Sequence, residues 1–84
     1  MRFTVVWKPD AENKLIRLWL DATDRGSIRR AADEIDRLLA DDPARQGESR
    51  STNVRILFVD PLVVVFAVRE LDRIVEVVCV WRIP

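Results

Sequence analysis

Leu62-Val63-Val64-Val65-Phe66-Ala67-Val68 is apolar at every position. A strand with one wet face alternates apolar and polar side chains, whereas a run that never alternates reads as a central strand covered on both faces. The fold is therefore decided by which other segments can supply those covers. Val54 to Val59 precedes the run across a tight Asp60-Pro61 connection and predicts a neighbouring strand. After a turn over Arg69 to Arg73, Ile74 to Trp81 predicts the last strand. Strict alternation would put Val75, Val77, Cys79 and Trp81 on one face, and Ile74, Glu76, Val78, Val80 and Arg82 on the other. Three consecutive strands joined by short turns make an antiparallel meander.

The first half of the chain supplies the cover. Arg2 to Lys8 alternates, with Phe3, Val5 and Trp7 on one face, and predicts a strand that Pro9 stops. A helix is expected from about Ala11 to Ala22, capped by Asp10, with Leu15, Leu18, Trp19 and Ala22 in one apolar stripe. Thr23 to Gly26 turns the chain. Asp24 or Ser27 can then cap a second helix carrying Ile28, Ala31, Ala32, Ile35, Leu38 and Leu39 at helical spacing. Arg29 with Asp33, Arg30 with Glu34 and Asp33 with Arg37 stand four apart on its outer side. Pro43 disfavours a helical Asp42, so this helix should end near Ala40.

Ala44 to Asn53 holds no apolar residue larger than alanine and reads as the longest loop. The expected architecture is α+β, in the order β-α-α-β-β-β, with a helical hairpin on one face of a C-terminal antiparallel sheet. One hairpin covers one face. The second, Val-rich face is left for a partner.

Composition bounds the function. At 84 residues the chain is expected to be one domain, residues 1–84, able to bury about 60–65% of its unfolded surface. Its 14 basic and 14 acidic residues cancel, so no global field draws it to a polyanion. His and Tyr are absent, which removes two common proton carriers, and the single Cys allows no internal disulfide. Cys79 reads as a buried core thiol, and Trp7 and Trp19 as core packing, with Trp81 open. No signal-peptide core is present and no run approaches the roughly 18 apolar residues of a membrane span, which predicts a cytoplasmic protein without a membrane partner. The acidic residues Asp33, Glu34, Asp36, Asp41 and Asp42 read as a solvated face, zinc ligands are lacking, and no cofactor or metal is implied.

The element order, Asp42-Pro43 at the end of the second helix, the Gly47-Glu48-Ser49-Arg50 stretch, Val54-Arg55-Ile56-Leu57-Phe58 and the closing Val78-Cys79-Val80-Trp81-Arg82 together resemble the RelE/ParE superfamily of toxins, the plasmid-stabilisation type. The resemblance spans nearly the whole chain and rests on pattern and order. It implies a bacterial type II toxin–antitoxin pair, in which a small antitoxin wraps the toxin and masks its active surface. It also implies a macromolecular target, either messenger RNA cut on the ribosome or DNA gyrase. The cutting members place Lys, Arg and a late Tyr or His on the sheet, and here that late residue is missing.

Cleavage by a 2′-hydroxyl needs stabilised phosphorane charge and a proton carrier. Arg55, Arg69 and Arg82 are the candidates for the charge, because guanidinium forks match phosphate geometry. Glu48, Glu70 or Lys8 is left for the proton, and no catalytic residue is assigned. Arg45 and Arg50 belong either to a basic loop that contacts nucleic acid or to a plain soluble connection. Three functions stay open: a toxin-like binder neutralised by an antitoxin, a ribosome-dependent mRNA endoribonuclease, and a homodimer-forming module without toxicity. Arg45, Arg50, Arg55, Arg69 and Arg82 are the expected nucleic-acid or target-binding residues, and the uncovered sheet side edged by Arg55, Arg69 and Arg82 is where an antitoxin or a self-partner is expected to dock.

Overall fold

The computed structural model describes residues 2–84. The chain runs β1 (Thr4–Trp7), α1 (Pro9–Asp21), α2 (Arg25–Asp41), a short 3-10 turn (Pro43–Arg45), β2 (Glu48–Ser51), β3 (Val54–Val59), β4 (Leu62–Arg69) and β5 (Ile74–Arg82). The five strands form one sheet in the order β1-β5-β4-β3-β2. The C-terminal strands are antiparallel, whereas β1 lies parallel to β5 at the opposite edge from β2. Because β1 is separated from β5 by the whole hairpin, its parallel pairing is the crossover that an intervening helical segment permits.

The hairpin covers one face. Pro9 sits at the start of α1, where its missing N–H would have had no partner, and Asp10 and Glu12 lie near the positive helix end. Lys8, rather than Asp10, is the N-cap residue, and no side-chain cap bond forms. At the other end of α1, Arg25 donates to the Trp19 and Leu20 carbonyls at 3.1 and 2.9 Å, satisfying groups the helix leaves unpaired. Ile28, Ile35 and Leu39 of α2 are fully buried against Leu62, Val64 and Phe66 of β4 and Val75 and Val77 of β5. Phe3, Val5 and Trp7 pack against the same core, with the Trp7 indole N–H donating to Asp36 at 2.8 Å.

Four expectations are corrected. The segment Ala44 to Asn53 is not a loop throughout, since Glu48–Ser51 pairs with β3 as an edge strand. Its side chains are all exposed, so it carries no apolar periodicity and is held through its backbone. Second, β5 does not alternate strictly. Val65 opposes Cys79 and Phe66 opposes Val77, so Val78 is an extra residue, a β-bulge. Val75, Val77, Val80 and Arg82 consequently share the hairpin side, and Cys79 is exposed rather than buried. Third, β4 is fully covered on one face only, since on the other Val63 is buried but Val65 and Ala67 are half-buried. Fourth, Trp19 is part of the exposed surface rather than the core, and the Arg25 guanidinium lies over its ring, 4.6 Å from the centroid.

The ion pairs also differ from those expected at four-residue spacing. On α2 the pair formed is Glu34 with Arg37, three apart, while Arg30 donates to the Ser27 hydroxyl at 3.3 Å. Among the described residues no helix is long and apolar enough to cross a membrane.

Candidate functional site

The open face of the sheet is built by alternation. Leu57 and Val59 of β3 oppose Val64 and Leu62, which are buried under the hairpin. Val54, Ile56 and Phe58 therefore point the other way, opposite Ala67, Val65 and Val63. Beyond the bulge, Cys79 and Trp81 of β5 join them, opposite Val65 and Val63. Phe58 is 57% exposed and Trp81 39%, whereas Val63 between them is only 5% exposed. Two aromatic walls thus flank a valine floor. Single exposed apolar residues are ordinary, but a contiguous strip of them on one sheet face marks an interaction surface.

The strip is bordered by β2. Gly47, Glu48 and Arg50 line a groove together with Ile56, Phe58 and Trp81. Gly47 has φ +65, and a Cβ there would stand 1.9 Å from the Ile56 carbonyl oxygen, so only glycine allows β2 to approach β3 this closely. On the opposite side of the same bend, Arg55 donates from Nε to the Gln46 carbonyl at 2.7 Å and from Nη2 to the Gly47 carbonyl at 2.9 Å.

The five expected arginines are not brought together. Arg55 opposes the fully buried Phe66, which places it on the hairpin side of the sheet, where its guanidinium is engaged with the bend. Arg82 opposes Leu62 and is likewise turned under the hairpin by the bulge, making a two-pronged bond to Asp24 at 2.8 and 2.9 Å. The expectation that Arg55 and Arg82 edge the open face is therefore corrected. Arg45 lies on the 3-10 turn, 3.5 Å from Asp42. Arg69 remains on the open face, paired with Glu76 at 3.2 Å. Arg50 makes no hydrogen bond or ion pair within the described residues and stands at the groove.

Electrostatics follow from these pairs. The Arg82 hydrogen bonds hold the Asp24 carboxyl below the usual carboxylate range, against a smaller opposing effect of desolvation. Arg37 does the same to Glu34. On the open face Glu48, Arg50, Arg69 and Glu76 sum to zero charge. Such a surface can bury apolar side chains and steer a partner by local charge, but it does not present the positive field that gathers phosphates.

Phe58, Ile56 and Glu48 were not among the residues singled out from the sequence as contacts. Alternation in β3 carried the signal for the first two, but Val54 to Val59 is apolar on both sides, so it did not say which side was open. A second apolar groove lies outside the hairpin, between α1 and α2, lined by Leu15, Ile16, Trp19, Ile28 and Ala32 with Arg29 at its rim.

No protein-family model matches the chain, and no curated protein is similar to it in sequence. Solved structures are similar in fold. A chain of the toxin–antitoxin complex RelBE2 from Mycobacterium tuberculosis superposes with a TM-score of 0.78 at 17% identity, over 98% of this chain and 99% of that one. A chain of the chromosomal ParDE toxin–antitoxin system from P. aeruginosa gives a TM-score of 0.67 at 15% identity, over 99% of this chain and 98% of that one. The fold is thus the RelE/ParE-like α+β fold, over essentially the full length.

Proposed function

We propose that this chain is the toxin-like component of a bacterial type II toxin–antitoxin pair, acting in the cytoplasm by binding a macromolecular target and neutralised by a small antitoxin. The observation that carries the proposal is the apolar, charge-balanced open sheet face, on a fold shared with chains of two toxin–antitoxin complexes. That face suits a protein segment with apolar side chains for the strip between Phe58 and Trp81 and a carboxylate for Arg50. Binding is favoured over cleavage because Arg55 and Arg82, two of the three guanidinium groups a phosphate site would draw on, are already spent on the Gln46–Gly47 bend and on Asp24. The target, ribosome-bound mRNA or DNA gyrase, is left to the experiment.

Induced expression in a bacterium should arrest growth, and co-expression of a small protein encoded beside the gene should relieve the arrest. Phe58→Asp and Trp81→Asp should abolish complex formation with that protein while leaving the melting temperature near that of the parent. No growth inhibition, with no small partner encoded alongside, would sink the proposal. New transcript ends after induction would turn it toward mRNA cleavage, and a stable, non-toxic homodimer in light scattering would identify a dimerisation module.

A further inference from the structure

We infer that Arg55 is a positioning residue, whose guanidinium fork clamps the Gln46–Gly47 bend and so sets β2, with Glu48 and Arg50, along the edge of the open-face groove. The inference rests on the docking role proposed for that face, but its geometry stands apart from any ligand. β2 is an edge strand of four residues, paired on one side only. All its side chains are exposed, so no apolar burial holds it down. Besides its backbone pairing with β3, two features at its entrance hold it. Gly47 lets the chain pass against the Ile56 carbonyl, and Arg55 ties down the Gln46 and Gly47 carbonyls from the hairpin side.

A planar guanidinium reaches two adjacent carbonyls in one rigid geometry, which a flexible ammonium does not reproduce. Arg55 thus acts on the groove through the sheet. Its own charge lies on the covered side, opposite Phe66, while the charge it positions, Arg50, lines the groove. This separates the inference from the role expected of a phosphate contact, in which the guanidinium itself would have to face the open side and meet the ligand.

The test compares Arg55→Lys, Arg55→Ala, Gly47→Ala and Arg50→Ala by amide hydrogen exchange and thermal melting of the isolated full chain. Both Arg55 variants should speed exchange in residues 46–51 by about tenfold or more, while the amides of Val64, Phe66 and Val77 stay as protected as in the parent. Gly47→Ala, which opens the same bend without touching the guanidinium, should give the same local pattern. Arg50→Ala should leave exchange unchanged. Parental exchange in Arg55→Lys would overturn the inference, because charge alone would then suffice. Loss of protection throughout the core would also overturn it, since Arg55 would then support the whole fold.

In the growth assay, Arg55→Lys should be as impaired as Arg55→Ala, and a fully active Arg55→Lys counts against positioning. If the parent itself proves inert in growth and binding, the toxin proposal fails while the exchange data still decide the role of Arg55.

Discussion

Under the hairpin, Leu62, Val64 and Phe66 are sealed by Ile28, Ile35 and Leu39, and both arginines on that side are engaged, Arg55 with two carbonyls and Arg82 with Asp24. On the other side of the same strands, Val63, Val65, Ile56 and Phe58 form a strip just as apolar, yet Phe58 and Trp81 stand in solvent and Arg50 has no partner within the described residues. Hydrophobicity alone does not distinguish the two faces. They differ in whether the hairpin covers them, and an apolar strip whose aromatic walls stand in water is one that can gain by being buried under a partner.

The largest expected difference between the faces is in stability. Val64→Asp places a carboxylate in a fully buried site without a hydrogen-bond partner, at a cost of several kcal/mol, and should unfold so small a domain. Val65→Asp, one residue along on the open face, should cost only about 1–2 kcal/mol and leave the chain folded. Urea denaturation of the two variants measures the gap directly. Equal destabilisation would mean that β4 is sealed on both faces after all. Phe66→Ala should likewise cost about 3–5 kcal/mol through the cavity it leaves, against less than about 1 kcal/mol for the exposed Phe58→Ala.

Much of this contrast could be read from the residues, and the remainder could not for definite reasons. The continuous run of β4, the helical spacing of Ile28, Ala31, Ile35 and Leu39, and the presence of a single hairpin sufficed for the α+β layout and an uncovered face. β2 left no trace because a strand whose side chains are all exposed, as those of Glu48–Ser51 are, has no apolar period. The bulge at Val78 was equally silent, since it adds one valine to the apolar run Val77-Val78-Cys79-Val80 and leaves no mark in the composition. Yet a one-residue slip exchanges the faces of everything beyond it, sending Cys79 and Trp81 outward and Arg82 beneath the hairpin. Arg55 was misplaced for a third reason, that both faces of β3 are apolar and only pairing with β4 says which is covered.

A smaller effect separates the two faces in acid. Asp24 binds its proton less readily when folded than when unfolded, because the Arg82 hydrogen bonds favour the carboxylate. A depressed folded-state pKa contributes stability that is complete above the unfolded-state value and is lost as pH falls through the folded-state value. Acidification below the ordinary carboxylate range should therefore lower the melting temperature. Asp24→Asn should flatten part of that fall and Glu34→Gln a further part, because Arg37 holds Glu34 in the same direction. An unchanged acid limb in both variants would show that neither pair matters to the fold. Both pairs are substantially exposed, so the change should be modest.

The smallest expected effect on stability belongs to Arg50, and it is the most telling about function. Its guanidinium makes no bond within the described residues, so Arg50→Glu should change stability by no more than about 0.5 kcal/mol. The same substitution places a second carboxylate beside Glu48 at the groove and reverses the local charge a partner meets. If a partner carboxylate sits there, association should slow and the remaining binding should lose its sensitivity to salt, since rim charges act mainly on the rate of encounter. Stopped-flow association with the proposed antitoxin at two ionic strengths reads this out. If Arg50→Glu instead associates as fast as the parent at both, the groove's charge is idle and the partner reads only the apolar strip between Phe58 and Trp81, which would move the specificity of the open face from its rim to its floor.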